Sequence, residues 1–264
     1  MQQLGRYEVT SVDGMVSLIV NLVSKGYRYY FTGAVKAGSD PQRVDERMLS
    51  YYDAHLPKWT RERRRRKGIA NFRYLRLGAW YIVLATEGVA ERFWLEDRNR
   101  VRDVRRSPIR FEGYSISFKQ GGYQKIPADE KAWRETVWTA YREARLRGEK
   151  GHAPPKAARD MKWHVHVRLD DDTYEGLMAS FLNLATHRQE ESLVSEFLKI
   201  RYQPYGPVRV QLRHILRAVN EARKIAGFQR VPLSVIPFKR RIVRSYKGAV
   251  ASAAGPPETL TQRP

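Results

Sequence analysis

The sequence predicts an α+β protein with a mixed N-terminal lobe, which contains an antiparallel sheet, and a mainly helical C-terminal lobe. In the first half, short stretches rich in aromatic and β-branched residues alternate with stretches of helical periodicity. After residue 170 the helical period prevails. Between the halves, residues 148–160 combine glycine, proline and charge without periodicity, which indicates a linker. We therefore predict lobes at 1–147 and 161–247 and a disordered tail at 248–264.

In the first half, residues typical of helix caps and tight turns predict where the helices and strands begin and end. Asp40 followed by Pro41 supplies an N-cap and a first-turn proline, so a helix should begin there. Gly26 suits a helix end, and Gly78 suits a tight turn between two strands. The predicted order is helix 11–25, strand 27–35, helix 40–52, strands 72–77 and 79–85, and a strand that ends at 121–122.

A further helix is predicted at 128–147, before the linker. Trp133, Val137 and Tyr141 recur at helical spacing, so we expect them on the inner face of this helix.

Residues 163–169 alternate between apolar and polar side chains, which predicts a strand with one core face. The other face would carry His164, His166 and Arg168. Asp172, with Glu175 three residues later, is the expected N-cap of the next helix. A shorter second helix is expected to extend to residue 198.

A long helix is predicted at 208–226, with Gly227 as its end. Arg209, Arg213 and Arg217 are spaced by four, so they form a stripe of like charges that an isolated helix disfavours. A phosphate backbone beside the helix would remove that cost. The buried face should consist of Leu212, Ile215, Leu216 and Val219.

Composition narrows the class of protein. The 264 residues are 42% hydrophobic, enough to fill a core, and include no cysteine, which excludes disulfides, thiolate nucleophiles and cysteine-bound zinc. The longest apolar runs are too short to span a bilayer, and no signal-peptide pattern opens the chain. We expect a soluble, cytoplasmic protein.

The net charge is the strongest global signal. A formal charge of +21 and a pI near 10.3 favour a polyanionic partner, and nucleic acid is the most common one. Charge alone does not separate DNA from RNA. The residues predicted to bind nucleic acid are Arg61, Arg63, Arg64, Arg65, Arg66, Lys67, Arg98, Arg100, Arg102, Arg105, Arg106, His164, His166, Arg168, Arg209, Arg213, Arg217, Lys239, Arg240, Arg241 and Arg244.

A strand with a polar face followed by two amphipathic helices, at 163–199, resembles the ribbon-helix-helix DNA-binding proteins. In that family two chains pair their strands into a ribbon that enters the major groove. The resemblance implies a homodimer in which His164, His166 and Arg168 read base edges.

An enzymatic alternative uses the same strand. His152, His164 and His166 resemble the histidine cluster of HUH endonucleases of the relaxase or replication-initiator type. The resemblance implies a bound Mg²⁺ or Mn²⁺ and a tyrosine nucleophile that nicks single-stranded DNA. Candidates for the nucleophile are Tyr51 and Tyr52, or Tyr202 and Tyr205.

No Walker loop, dinucleotide-binding glycine motif or nucleophile elbow occurs in the sequence. The preferred hypothesis is therefore a non-catalytic DNA- or RNA-binding component, without a cofactor, of a larger protein–nucleic-acid complex or a mobile element.

Overall fold

The computed structural model describes residues 7–121, 128–149, 162–186, 189–241 and 246, with the side chains of 128–131 left aside. The α+β class is confirmed, because the structure is 47% helix and 21% strand and its sheets are antiparallel. Two compact units are present, Met1–Ser117 with His166–Pro264, and Phe118–Val165. The predicted linker falls largely outside the described residues, as does the predicted tail. Within the described ranges, no helix is long and apolar enough to cross a membrane.

The first part of the larger unit is a four-stranded sheet with helices. Its strands have the order β2-β3-β1-β4, and neighbouring strands are antiparallel. The elements are α1 Val12–Ser24, β1 Tyr27–Ala34, α2 Pro41–Tyr51, α3 Lys58–Arg66, β2 Phe72–Leu77, β3 Trp80–Thr86, α4 Glu91–Leu95 and β4 Arg102–Asp103.

Alternation along the strands gives this sheet two buried faces. Phe31, Tyr74 and Val83 pack with Leu49 of α2 and Phe93 of α4. The residues that alternate with them point to the opposite face, where α1 packs along β1 and β2. The sheet is therefore enclosed by helices on both sides.

A buried ion pair ties α2 to β2. The Asp45 carboxylate accepts hydrogen bonds from Arg76 Nε at 2.8 Å and from the Tyr74 hydroxyl at 2.6 Å. Asp45 is fully buried. The pKa of Tyr74 is raised by burial of its hydroxyl and by the hydrogen bond that this hydroxyl donates to Asp45. The charged pair is thus matched inside the core rather than left without a partner.

The second sheet has three strands in the order β5-β6-β7, with β5 Ile109–Phe111, β6 Tyr114–Gln120 and β7 Trp163–Leu169. The smaller unit contains the end of β6, the start of β7 and the helix α5 Ala128–Leu146. Within it, the Phe118 and Trp163 rings stack at 5.4 Å.

The remaining helices are α6 Asp171–Ala185, α7 Glu190–Leu198 and α8 Gly206–Ile225, followed by a 3-10 turn at Leu233–Val235. All four residues predicted for the inner face of the long helix, Leu212, Ile215, Leu216 and Val219, are buried. Helix α8 packs against α6.

Two details of the prediction are wrong. The N-cap of α6 is Asp170, whose side chain accepts from Thr173 N at 2.8 Å, rather than Asp172. Asp170 N also donates to Gly113 O, which holds residue 170 in the extended backbone that a cap requires. On α5, Trp133 is exposed, whereas Val137 and Tyr141 are half-buried as predicted.

Candidate nucleic-acid interface

Helix α8 is anchored by side chains on its inner side. The Gln211 amide bonds both backbone groups of Leu169, with N–O distances of 2.8 and 3.2 Å. Arg223 is buried, and its guanidinium donates to the Ala185 carbonyl at 2.9 Å. These contacts fix which side of α8 faces away from the core.

The chain after α8 folds back along the helix. The Asn220 side chain bonds the backbone N and O of Val231, at 2.8 and 2.9 Å. Further on, Gln203 Oε1 accepts from the backbone N of Arg241 at 2.9 Å. The segment 231–241 is therefore held at both ends and runs antiparallel to α8.

This return brings two predicted clusters together. Phe238 lies beside the first turns of α8, with the guanidinium carbons of Arg209 and Arg213 at 5.4 and 5.3 Å from its ring centroid. Arg240 lies 5.2 Å from the ring centroid of Tyr205, the residue just before the helix. Cations from 209–217 and from 239–240 thus share one surface.

A cleft of about 390 Å³ adjoins the same surface. Arg213, Arg217 and Arg230 line it, together with Asn220 and one acidic residue, Glu221. We call this set the α8 basic surface, which consists of Tyr205, Arg209, Arg213, Arg217, Arg230, Phe238 and Arg240. We include the exposed Lys239 because it lies between Phe238 and Arg240 in the chain.

The six cations of the α8 basic surface make no ion pair with any carboxylate of the described residues. Four of them, Arg217, Arg230, Lys239 and Arg240, are exposed, and Arg209 and Arg213 are half-buried. Three of the six cations follow α8 over eight residues, about 12 Å at 1.5 Å per residue, which corresponds to about three phosphates along one DNA strand.

In the cluster at residues 61–67, the densest one predicted, more of the cations are paired with carboxylates than on the α8 basic surface. This cluster lies on α3 and its C-cap, where Arg64 pairs with Asp53 at 2.8 Å, and Arg65 and Arg66 pair with Glu62 at 3.0 and 3.7 Å. The Arg61 side chain donates to the Leu56 carbonyl. Of this cluster, Arg63 and Lys67 are exposed and pair with no described carboxylate.

The cluster at 98–106 is partly used inside the fold. Arg105 pairs with Asp103 at 2.7 Å and with Glu87 at 3.4 Å. Burial tends to raise the pKa of Asp103, but hydrogen bonds from Arg105 outweigh it and hold that pKa below its ordinary value. Arg100 pairs with Asp97 at 3.6 Å, and its guanidinium lies 4.5 Å from the Phe31 ring centroid.

The other members of that cluster differ in exposure. Arg98 and Arg106 are exposed, and Arg102 lies on the short edge strand β4, opposite Tyr30. These cations lie outside the α8 basic surface as defined above.

The polar face of β7 is less open than predicted. His164 is exposed, but His166 and Arg168 are half-buried, and Arg168 pairs with Asp171 at 2.8 Å. One edge of β7 pairs with β6 of the same chain, whereas a ribbon-helix-helix strand pairs with its partner chain. The dimeric ribbon stays a prediction.

The last predicted cations fall into two groups. Lys239 and Arg240 belong to the α8 basic surface, whereas Arg241 pairs with Asp13 at 3.2 Å. Arg244 lies outside the described residues, as does the candidate metal ligand His152. Within the described ranges, no group of three His, Asp or Glu side chains is arranged to hold a metal ion.

The four candidate tyrosines all have a raised pKa. A hydrogen bond to Glu96 raises the pKa of Tyr51, and burial followed by a hydrogen bond to Asp97 raises that of Tyr52. Burial does the same for Tyr202 and Tyr205. The raised pKa keeps each phenol neutral, so each would need a general base to act as a nucleophile. Nicking activity stays an untested hypothesis.

Comparisons of this chain with protein-family models, with curated proteins and with solved structures find no match. The resemblances to ribbon-helix-helix proteins and to HUH endonucleases therefore rest on local sequence patterns alone.

Sequence reasoning missed two members of the site, Phe238 and Arg230. Phe238 directly precedes the Lys239 cluster, so an aromatic residue next to cations was visible as a signal. Arg230 stands alone in the sequence and lines the cleft beside Val231, whose backbone is bonded to the Asn220 side chain.

Proposed function

We propose that this protein binds nucleic acid through the α8 basic surface, as a non-catalytic component of a larger nucleoprotein assembly. The observation that carries the proposal is the convergence of six cations that are not ion-paired within the described chain. Phosphate neutralisation would lower the repulsion among Arg209, Arg213 and Arg217.

The location of these cations supports a phosphodiester rather than a small anion. They extend along α8 and onto the returning segment, so a polymer can contact several of them at once. Exposed pairs such as Arg65–Glu62 are weak, and the α3 cluster can add to binding at modest cost. Affinity would then come mainly from backbone contacts, which carry little sequence preference.

The test uses fluorescence anisotropy with a labelled 20-nucleotide strand and the matching duplex. The triple variant R209Q/R213Q/R217Q should bind both more weakly than the wild type. Glutamine keeps helix propensity, and a thermal melt checks that the variant is folded. The matched control K25Q/R43Q/R47Q removes three exposed cations from elsewhere on the chain.

Two results would overturn the proposal. Equal loss in the triple variant and the control would mean that binding follows net charge and not this surface. Absence of salt-dependent binding in the wild type would refute nucleic-acid binding itself.

A further inference from the structure

Phe238 is an exposed aromatic ring among cations. The residue is 59% exposed, although its ring lies within 5.4 Å of two guanidinium carbons. Arg209 and Arg213 are one turn apart on the same helix, so both approach the ring from the α8 side. More than half of the surface of Phe238 is exposed beside these two contacts.

The cationic cleft lies directly beside this ring, because Arg213 belongs to both. Arg213 lies over Phe238 and lines the cleft of about 390 Å³ with Arg217 and Arg230. Clefts of this size hold small ligands. An aromatic platform next to a cationic cleft is the arrangement that takes a base and its neighbouring phosphate.

We infer that this place binds a single strand, with one base stacked on Phe238 and the neighbouring phosphates along Arg213, Arg217 and Arg230. The inference rests on the proposed function and adds the substrate class, single-stranded nucleic acid. Bases inside a duplex are stacked on their neighbours and cannot cover the ring.

The charge of the surroundings favours this occupant over an apolar protein surface. Among the charged residues that line the cleft in the described chain, three are cations and one, Glu221, is acidic. Tyr205, half-buried beneath Arg240, places a second ring at the other end of the surface. A strand that follows α8 would pass both rings.

The experiment compares two conservative changes at Phe238 in the full chain. F238W keeps an aromatic face, whereas F238L keeps an apolar side chain without one. The control is F228L, since Phe228 is also exposed and also lies beside a guanidinium, that of Arg223 at 5.3 Å. Binding is measured with a 12-nucleotide thymine strand and its duplex, and with the uracil RNA strand. A 2-aminopurine base in the strand reports stacking by its fluorescence.

The expected result is tighter binding of the single strand than of the duplex. F238L should weaken single-strand binding about tenfold and leave duplex binding unchanged, because a base–aromatic stack has about that worth. F238W and F228L should bind as the wild type does. The wild type, unlike F238L, should quench 2-aminopurine. The loss on F238L in either DNA or RNA supports the inference.

Salt-dependent binding that is equal for strand and duplex and unaffected by F238L would overturn this inference and leave the proposed function standing. A change of oligomeric state in F238L, with strand binding retained, would also overturn it and identify the ring as a protein contact. Absence of binding to strand and duplex alike would refute the proposed function together with the inference.

Discussion

Removal of charge from the α8 basic surface should change the salt dependence of binding by a predictable amount. Each phosphate that a cation neutralises on a single strand contributes about 0.7 to the slope of log affinity against log salt. Six cations converge on this surface, so the full set gives a slope of about −4. A rise from about 50 to about 200 mM salt should then weaken binding about 300-fold.

The variant R209Q/R213Q/R217Q removes half of these cations. Its slope should fall to about −2, and the same rise in salt should weaken binding only about 20-fold. The control K25Q/R43Q/R47Q should keep the wild-type slope. The assay is anisotropy with a labelled strand at four salt concentrations, with protein in excess.

The slope separates the proposed surface from a general charge effect. A wild-type slope between zero and about −1 would show that the surface contacts at most one phosphate, and the reasoning would fail. An identical slope in the triple variant and the wild type would refute it equally, because the phosphate contacts would then lie elsewhere on the chain.

Three other predictions concern the fold that carries the surface. Arg76→Met leaves the buried Asp45 carboxylate without its cation, so the free energy of unfolding in urea should fall by about 3–5 kcal/mol. The double variant D45N/R76M should recover part of this loss. A loss below about 1 kcal/mol would contradict the ion-pair account. Burial raises the pKa of Tyr52 above its ordinary 10.0, so its contribution to folding stability is complete below pH 10 and is lost as pH rises further. Between about pH 8 and about pH 11 the melting temperature of Tyr52→Phe should therefore fall less than that of the wild type. An equally steep fall in both proteins would rule this out. Gly113 has φ +77°, and a Cβ there would lie 2.5 Å from the Tyr202 hydroxyl. Gly113→Ala should therefore destabilise the folded protein by about 1–3 kcal/mol in thermal melts. An unchanged melting temperature would show that the turn relaxes without cost.

Local signals were sufficient for most of the helices. Asp40 was recognisable as an N-cap because a short side-chain acceptor satisfies the free N–H groups of the first turn, and it does so here for Gln42 N. The inner face of α8 was correct in full because a long helix repeats its apolar period often enough to fix one side.

Details that depend on distant partners were not accessible in the same way. Asp170 and Asp172 are equally good caps in isolation, and the hydrogen bond from Asp170 N to Gly113 O, in the turn between β5 and β6, decides between them. Trp133 is exposed and Val137 and Tyr141 are half-buried, although all three recur at the same helical spacing, so periodicity alone did not separate them.

For the candidate site, the sequence identified the clusters of cations but not which of them the fold brings together. Whether a cation is available depends on the carboxylates that the fold brings near it, as Asp53 reaches Arg64 and Asp13 reaches Arg241. Phe238 and Arg209 lie 29 residues apart in the chain and meet because the chain folds back after α8, which no local pattern encodes. The pairing of Glu62 with Arg65 and Arg66, by contrast, was readable from helical spacing.

The two amide clamps on the segment after α8 have an energetic consequence. The Asn220 side chain bonds Val231 at one end of the segment, and the Gln203 side chain bonds Arg241 at the other. Phe238 and the guanidinium groups beside it are therefore positioned before any ligand binds. A ligand would then lose its own freedom on docking without also having to order the receptor, which favours tight association through a small footprint.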